Sequence, residues 1–105
     1  MNHVAFVFAI SPEHPALAGH FAGNPIVPGV LLLDEVMHHL AAASGRDLAC
    51  IERVKFNSVL KPGERVDVEC NITGQRASFR ASVARDAARV LVADGVGIFA
   101  PQARP

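Results

Sequence analysis

The residues best suited to move a proton lie in one stretch, Gly19 to Asp34, which reads GHFAGNPIVPGVLLLD. His20 sits in its loop half. An imidazole with an ordinary pKa of ~6.5 exchanges a proton near neutral pH. Gly19 and Gly23 permit close backbone approach, and Pro25 and Pro28 stiffen the loop. Asp34 follows three leucines, Leu31-Leu32-Leu33. A carboxylate buried among such residues costs several kcal/mol unless it is paired or neutralised. In an apolar setting its pKa rises and it becomes a proton donor. The plainer reading is that Asp34 or Glu35 merely favours a helix N-terminus, by ~0.3–1 kcal/mol. Glu35 points about 100° away from Asp34, so one of the two at most serves a given site, and Glu35 reads as solvated or structural. Gly29 stands where the loop enters a helix. Its N–H there is an unpaired donor at the positive end of the dipole, an oxyanion site, unless the glycine serves only a tight turn. A base, an acid and an oxyanion donor together suit proton abstraction next to a carbonyl, with loss or gain of a leaving group.

Other chemistries find less support. Asp34 and His38 are one helical turn apart, and His39 is adjacent. One Asp and one His make half a metal site, and no HExxH or Cys/His cluster completes it, so neither metal nor cofactor is expected. His14, in Glu13-His14-Pro15, reads as loop packing. Cys50 and Cys70 have neither metal nor disulfide-framework spacing, and Cys70 falls on the apolar side of an alternating strand. The 105 residues carry ten basic and ten acidic side chains, eight of the basic ones Arg. That balance points away from a nucleic-acid partner. Val4 to Ile10 is too short to span a bilayer and lacks a basic flank, so the expectation is a cytoplasmic protein with no membrane association.

The elements that must hold these residues follow from pattern. Val4 to Ile10 is a continuous apolar run and predicts a buried strand. Ser11 to Pro28 has four Pro and two Gly and predicts a shaped loop. Val30 to Ser44 predicts a helix, with Gly45 as its stop. Apolar residues cover most of its circumference, which predicts burial nearly all round. Strands follow at Ile51 to Phe56, Arg65 to Thr73, around Ala77 to Val83, and Arg89 to Ala100, with turns at Lys61-Pro62-Gly63, Gly74-Gln75 and Asp86 to Ala88. Successive strands with tight turns favour an antiparallel sheet. The fold expected is α+β: one domain over residues 1–100, an antiparallel sheet wrapped around one central buried helix, with 101–105 as a frayed tail. By analogy this is the hot-dog arrangement.

GHFAGNPIVPGVLLLDEV resembles the signature of the β-hydroxyacyl-acyl-carrier-protein dehydratases of the FabA and FabZ types, and of their shorter accessory relatives. Those proteins carry a GHFPxxPxxPG loop leading into the central helix of a hot-dog fold. The match runs through Gly19, His20, Phe21, Pro25, Pro28 and Gly29. IERVKFNSVLKPGERVDVECNI, Ile51 to Ile72, is similar to the family's next strands. The resemblance implies that His20 is the catalytic histidine and that Asp34, fourteen residues on, is its acidic partner. Gly29 would be the glycine whose N–H polarises the thioester carbonyl. Phe21, Pro28, Val30 and Leu33 would line the acyl site. In this family the histidine and the acid of one site come from different subunits of a dimer. Departures are Ala22 where the family has Pro, the lack of any Tyr, and the larger residues Glu35 to His39 after the acid.

The activity this implies is a hydro-lyase acting on a 3-hydroxyacyl thioester of acyl-carrier protein or CoA, in fatty-acid or related acyl-chain biosynthesis. His20 would remove the C2 proton and Asp34 would assist departure of the C3 hydroxyl, leaving a trans-2-enoyl thioester. Arg46, Arg53, Lys55 and Arg76 are candidates to dock an acidic carrier. Two other readings stay open: a hot-dog acyl thioesterase, for which His20 is dispensable, and a catalytically silent or acyl-binding subunit completing a homodimer or heterodimer with another hot-dog chain.

Overall fold

The structure, a computed structural model, describes residues 2–17 and 26–101. His20 and Phe21 lie outside the described residues, as does the end of the tail. Strand β1 (Asn2–Ala9) leads through a short 3-10 turn (Pro15–Leu17) to helix α1 (Gly29–Ser44). Strands β2 (Leu48–Phe56), β3 (Arg65–Thr73), β4 (Arg76–Arg85) and β5 (Ala88–Phe99) follow. All pairings are antiparallel, in the order β1-β3-β4-β5-β2. One curved sheet carrying one helix is the hot-dog fold.

Strand alternation builds the inner face. Val66, Val68, Cys70 and Ile72 on β3, and Ala77, Phe79, Ala81 and Val83 on β4, are all buried. Burial pushes the Cys70 thiol up to about 11, in keeping with the small core residue its place in the alternation predicts. Gly45 ends the helix in the left-handed region, φ 71°, where its N–H reaches the Ala41 carbonyl at 2.9 Å. Gly95 lets β5 pack closely: a Cβ there would lie 2.5 Å from the Arg53 carbonyl oxygen and 2.8 Å from the Phe79 ring.

Three expectations need correction. The run from Val4 to Ile10 is not a strand buried on both sides. It is an edge strand that buries Phe8 and leaves Val7 46% exposed, because α1 covers only one face of the sheet. The loop after it is not wholly irregular, since Pro15–Leu17 makes a turn of 3-10 helix. The helix is not buried nearly all round. It buries Leu32, Val36 and Leu40, successive i,i+4 neighbours on one stripe, while Val30 is 68% exposed. The helix packs more closely on β1 than on β2, and the stripe of Val30, Asp34 and His38, opposite the buried one, is uncovered in the single chain.

The segment between β2 and β3 is fastened from one side. The Arg85 guanidinium donates to both Glu64 carboxylate oxygens at 2.7 and 2.6 Å, and to the Val59 carbonyl at 2.7 Å. Glu64 also accepts the Lys61 N–H at 2.8 Å. The hydrogen bond from Arg85 is the main reason the Glu64 carboxyl is held below its ordinary 4.5. A depressed carboxylate contributes stability that is full above the unfolded pKa and is lost as pH falls through the folded value. Glu64→Gln is therefore expected to cost about 1–3 kcal/mol at neutral pH. The gap to the unsubstituted protein should close in acid, as read from urea midpoints across pH; a gap constant with pH would refute this.

Candidate active site

Helix α1 begins without a side-chain cap. Pro28 occupies the N-cap position with φ −59° and ψ 143°. Leu31 and Leu32 both turn their N–H groups back onto the Pro28 carbonyl, at 3.0 and 3.3 Å. The N–H groups of Gly29 and Val30 thus have no acceptor within the helix, and they carry its positive end outward. Gly29 is the first residue of the helix, at the junction with the loop where the sequence placed it.

Gly29 has a second reason to be glycine. A Cβ there would fall 2.7 Å from the tip of the Phe56 ring. The ring lies over the helix entrance and is 48% exposed. Phe56 ends β2, and the chain beyond it is pinned. Asn57 donates its N–H to the Val92 carbonyl at 2.8 Å and its side-chain amide to Asp94 at 2.9 Å. The Val27 N–H reaches the Leu60 carbonyl at 2.8 Å, joining the two segments that flank the entrance. Val30, Phe56 and Val59 leave apolar surface exposed around these donors. Sequence reasoning does not place Phe56 in the site, since the local pattern of VKF carries no sign of its contact with Gly29.

Asp34 lies one turn further along the helix, on the flank of Val30 and His38, and is exposed in the single chain. The cost foreseen for a buried acid therefore does not arise within one chain, because the sheet covers the other stripe of the helix. Leu33 is half-buried and packs against the core, and Pro28 is half-buried at the entrance. The two neighbouring acids separate as their 100° offset requires. Glu35 turns to the β1 side, where its Oε2 lies 3.3 Å from Nε2 of His39. The His39 ring stacks on Phe6 and Phe8 at centroid distances of 5.6 and 5.4 Å. His39 thereby joins α1 to β1. His38 meets it edge-on at 5.3 Å. His14 belongs to the tight turn after β1, its N–H on the Ser11 carbonyl at 3.0 Å. Among the described residues no three His, Cys, Asp or Glu side chains gather as metal ligands, and no helix is long and apolar enough to cross a membrane.

One helix set on a single antiparallel sheet of five strands in this order defines a hot-dog protein. The family model described as ApeI-like, ApeI dehydratase, matches residues 1–95, and the chain belongs to that dehydratase family. It is 34% identical over 91 residues to the 3-hydroxyacyl-[acyl-carrier-protein] dehydratase FabZ of Legionella pneumophila, covering 75% of this chain and 61% of that one. To the FabZ of Chloroflexus aggregans it is 33% identical over 94 residues, covering 81% and 62%. The chain thus spans about three-fifths of the length of these curated relatives. Among solved structures, an uncharacterized protein from Erwinia carotovora subsp. atroseptica superposes with a TM-score of 0.80 at 26% identity, over 94% of this chain and 83% of that one. The dehydratase heterocomplex ApeI:P from Xenorhabdus doucetiae gives 0.76 at 24% identity, over 94% and 88%. An apo-hexameric acyl-CoA thioesterase gives 0.60 at 18%, over 92% and 67%. At those lower identities the likeness is one of fold.

Proposed function

We propose that the chain dehydrates a 3-hydroxyacyl thioester to a trans-2-enoyl thioester. The observation that carries this reading is the helix start at Gly29, whose N–H has no acceptor within the helix, together with an open helix flank bearing Asp34. The carbonyl oxygen accepts from the Gly29 N–H, which stabilises the enolate-like charge. His20 takes the proton from C2. The electron pair forms the C2–C3 double bond as the C3–O bond breaks, and the hydroxyl leaves as water with the proton given by Asp34. No metal or cofactor is needed for this balance.

The uncovered flank of α1 also supports association: a second hot-dog chain laid over it would supply the acyl site with its other wall. A homodimer is the simplest form. A heterodimer is the second reading, favoured by the same open flank and by the heterocomplex among the similar folds. Of the cations considered for docking an acidic carrier, Arg46 is engaged with the Gly74 carbonyl and the Phe99 ring, and Arg76 with Glu52. Arg53 and Lys55 on β2, next to Phe56, remain better placed for that role.

The test is to supply 3-hydroxyacyl-carrier protein and 3-hydroxyacyl-CoA and to follow the acyl group by mass. Loss of one water with the thioester intact is the result expected. Release of free thiol would replace this reading with a thioesterase. Dehydration only after adding a second hot-dog chain would favour the heterodimer.

A further inference from the structure

We infer that the ion pair of Glu64 and Arg85 positions the Gly29 N–H for reaction, acting through the peptide that joins Leu60 to Lys61. This rests on the dehydratase reading, in which Gly29 holds the thioester carbonyl, and it is the same whichever chain supplies the acid.

Arg85 ends β4 and Glu64 immediately precedes β3. Their side chains are only 25% and 20% exposed, so the charge-assisted bonds between them are partly shielded from water. Oε1 of Glu64 accepts from Arg85 Nη2 at 2.6 Å and from the Lys61 N–H at 2.8 Å. Oε2 accepts from Arg85 Nε at 2.7 Å, and Nη2 also reaches the Val59 carbonyl at 2.7 Å. The peptides on both sides of Leu60 are thereby held by one pair of side chains. The peptide from Leu60 to Lys61 transmits the hold. Its N–H lies on Glu64, and its carbonyl accepts the Val27 N–H at 2.8 Å. A peptide is a rigid plane, so fixing its N–H fixes the direction of its carbonyl. A carboxylate on the N–H also polarises the group and strengthens the carbonyl as an acceptor.

From Val27 the constraint passes to Gly29 with little slack. The side chains of Val27 and Leu60 are both buried, which anchors each end of the bridge between them. The Pro28 ring holds φ at −59°, and the Pro28 carbonyl accepts from the N–H groups of Leu31 and Leu32. The helix has no side-chain cap, so this bridge is what fixes the chain just ahead of its first residue. Glu64 and Arg85 touch no substrate in this account; they are positioning residues.

The experiment compares the unsubstituted protein with Glu64→Ala, Glu64→Gln and Arg89→Gln. The last breaks a comparable pair, with Asp67, on the sheet face away from the helix. Amide hydrogen exchange reads the Val27 N–H, and kinetics on 3-hydroxyacyl-carrier protein give kcat and KM per folded molecule. In Glu64→Ala, Val27 is expected to lose about tenfold or more of its protection beyond any loss shared by the β3–β4 ladder. Its kcat is expected to fall about tenfold or more with KM within about twofold, because an oxyanion donor acts on charge that develops in the transition state. Glu64→Gln keeps an acceptor oxygen for the Lys61 N–H and should retain part of both. Arg89→Gln should change neither. If Glu64→Ala loses protection equally at Val27 and along the ladder, or keeps its kcat, the pair is merely structural and the inference is overturned while the dehydratase reading stands. If the unsubstituted protein forms no enoyl thioester, the dehydratase reading itself fails and the inference falls with it.

Discussion

Asp34→Asn is expected to lower dehydration about a hundred- to ten-thousand-fold, the range lost when a positioned acid is removed. The fold should be indifferent. Asp34 is exposed in the single chain, and it is its neighbour Glu35 whose carboxylate lies 3.3 Å from His39. Exposed substitutions away from such contacts change stability by about 0.5 kcal/mol or less. The amide keeps the size of the carboxyl and can still hydrogen-bond, but it has no proton to give. Asp34→Glu keeps the acid and moves it by one methylene, so it should retain measurable turnover. Kinetics with melting of each variant check this. An Asp34→Asn protein that dehydrates at the normal rate would remove the acid from the mechanism. One that melts far lower would show that Asp34 had a structural role.

Gly29→Ala tests the other half of the site, and its effect is expected to come through Phe56. The added methyl would overlap the ring, whose nearest atoms lie 2.7 and 2.9 Å from the Cβ position. Ring or helix entrance must shift. Overpacking of this kind costs about 1–3 kcal/mol. A displacement of about 1 Å at the oxyanion donors is enough to cost on the order of a hundredfold in rate. The backbone N–H itself survives the substitution, which makes relief possible. Phe56→Ala removes the obstacle, so the double variant Gly29→Ala/Phe56→Ala should be more active than Gly29→Ala alone. Non-additivity of that sign is the signature of two groups in contact. Additive losses would mean that Phe56 does not shape the entrance.

What the sequence made legible depended on where the partners of each side chain lie. β3 spans Arg65–Thr73 as its alternation requires, because Val66, Val68, Cys70 and Ile72 all meet the core of the same chain. The apolar run at Val4–Ile10 was ambiguous, since an edge strand and a doubly buried strand share that composition. The helix was the instructive case. The apolar circumference predicted burial nearly all round, but the sheet lies against the Leu32, Val36 and Leu40 stripe, leaving Val30 exposed and Met37 and Ala41 half-buried. Hydrophobicity records that a residue wants burial, not which chain supplies it. Asp34 looked costly for the same reason. Phe56 escaped notice because its importance lies in a contact with Gly29, twenty-seven residues away, which no local pattern encodes. The histidine loop, residues 18–25, lies outside the described part of the chain.

The central claim is that His20 and Asp34 act together in one dehydrating site shared between two chains. Mixing His20→Ala protein with Asp34→Asn protein, after unfolding and refolding them together, tests it most directly. Each variant alone should be nearly silent. In a two-fold dimer with random pairing, the mixture regains about a quarter of the unsubstituted activity, because half the dimers carry one intact site of two. Recovery of that size in enoyl-thioester formation is the result predicted. A mixture as silent as its components, with native mass spectrometry showing that mixed dimers had formed, would contradict a site built from both chains.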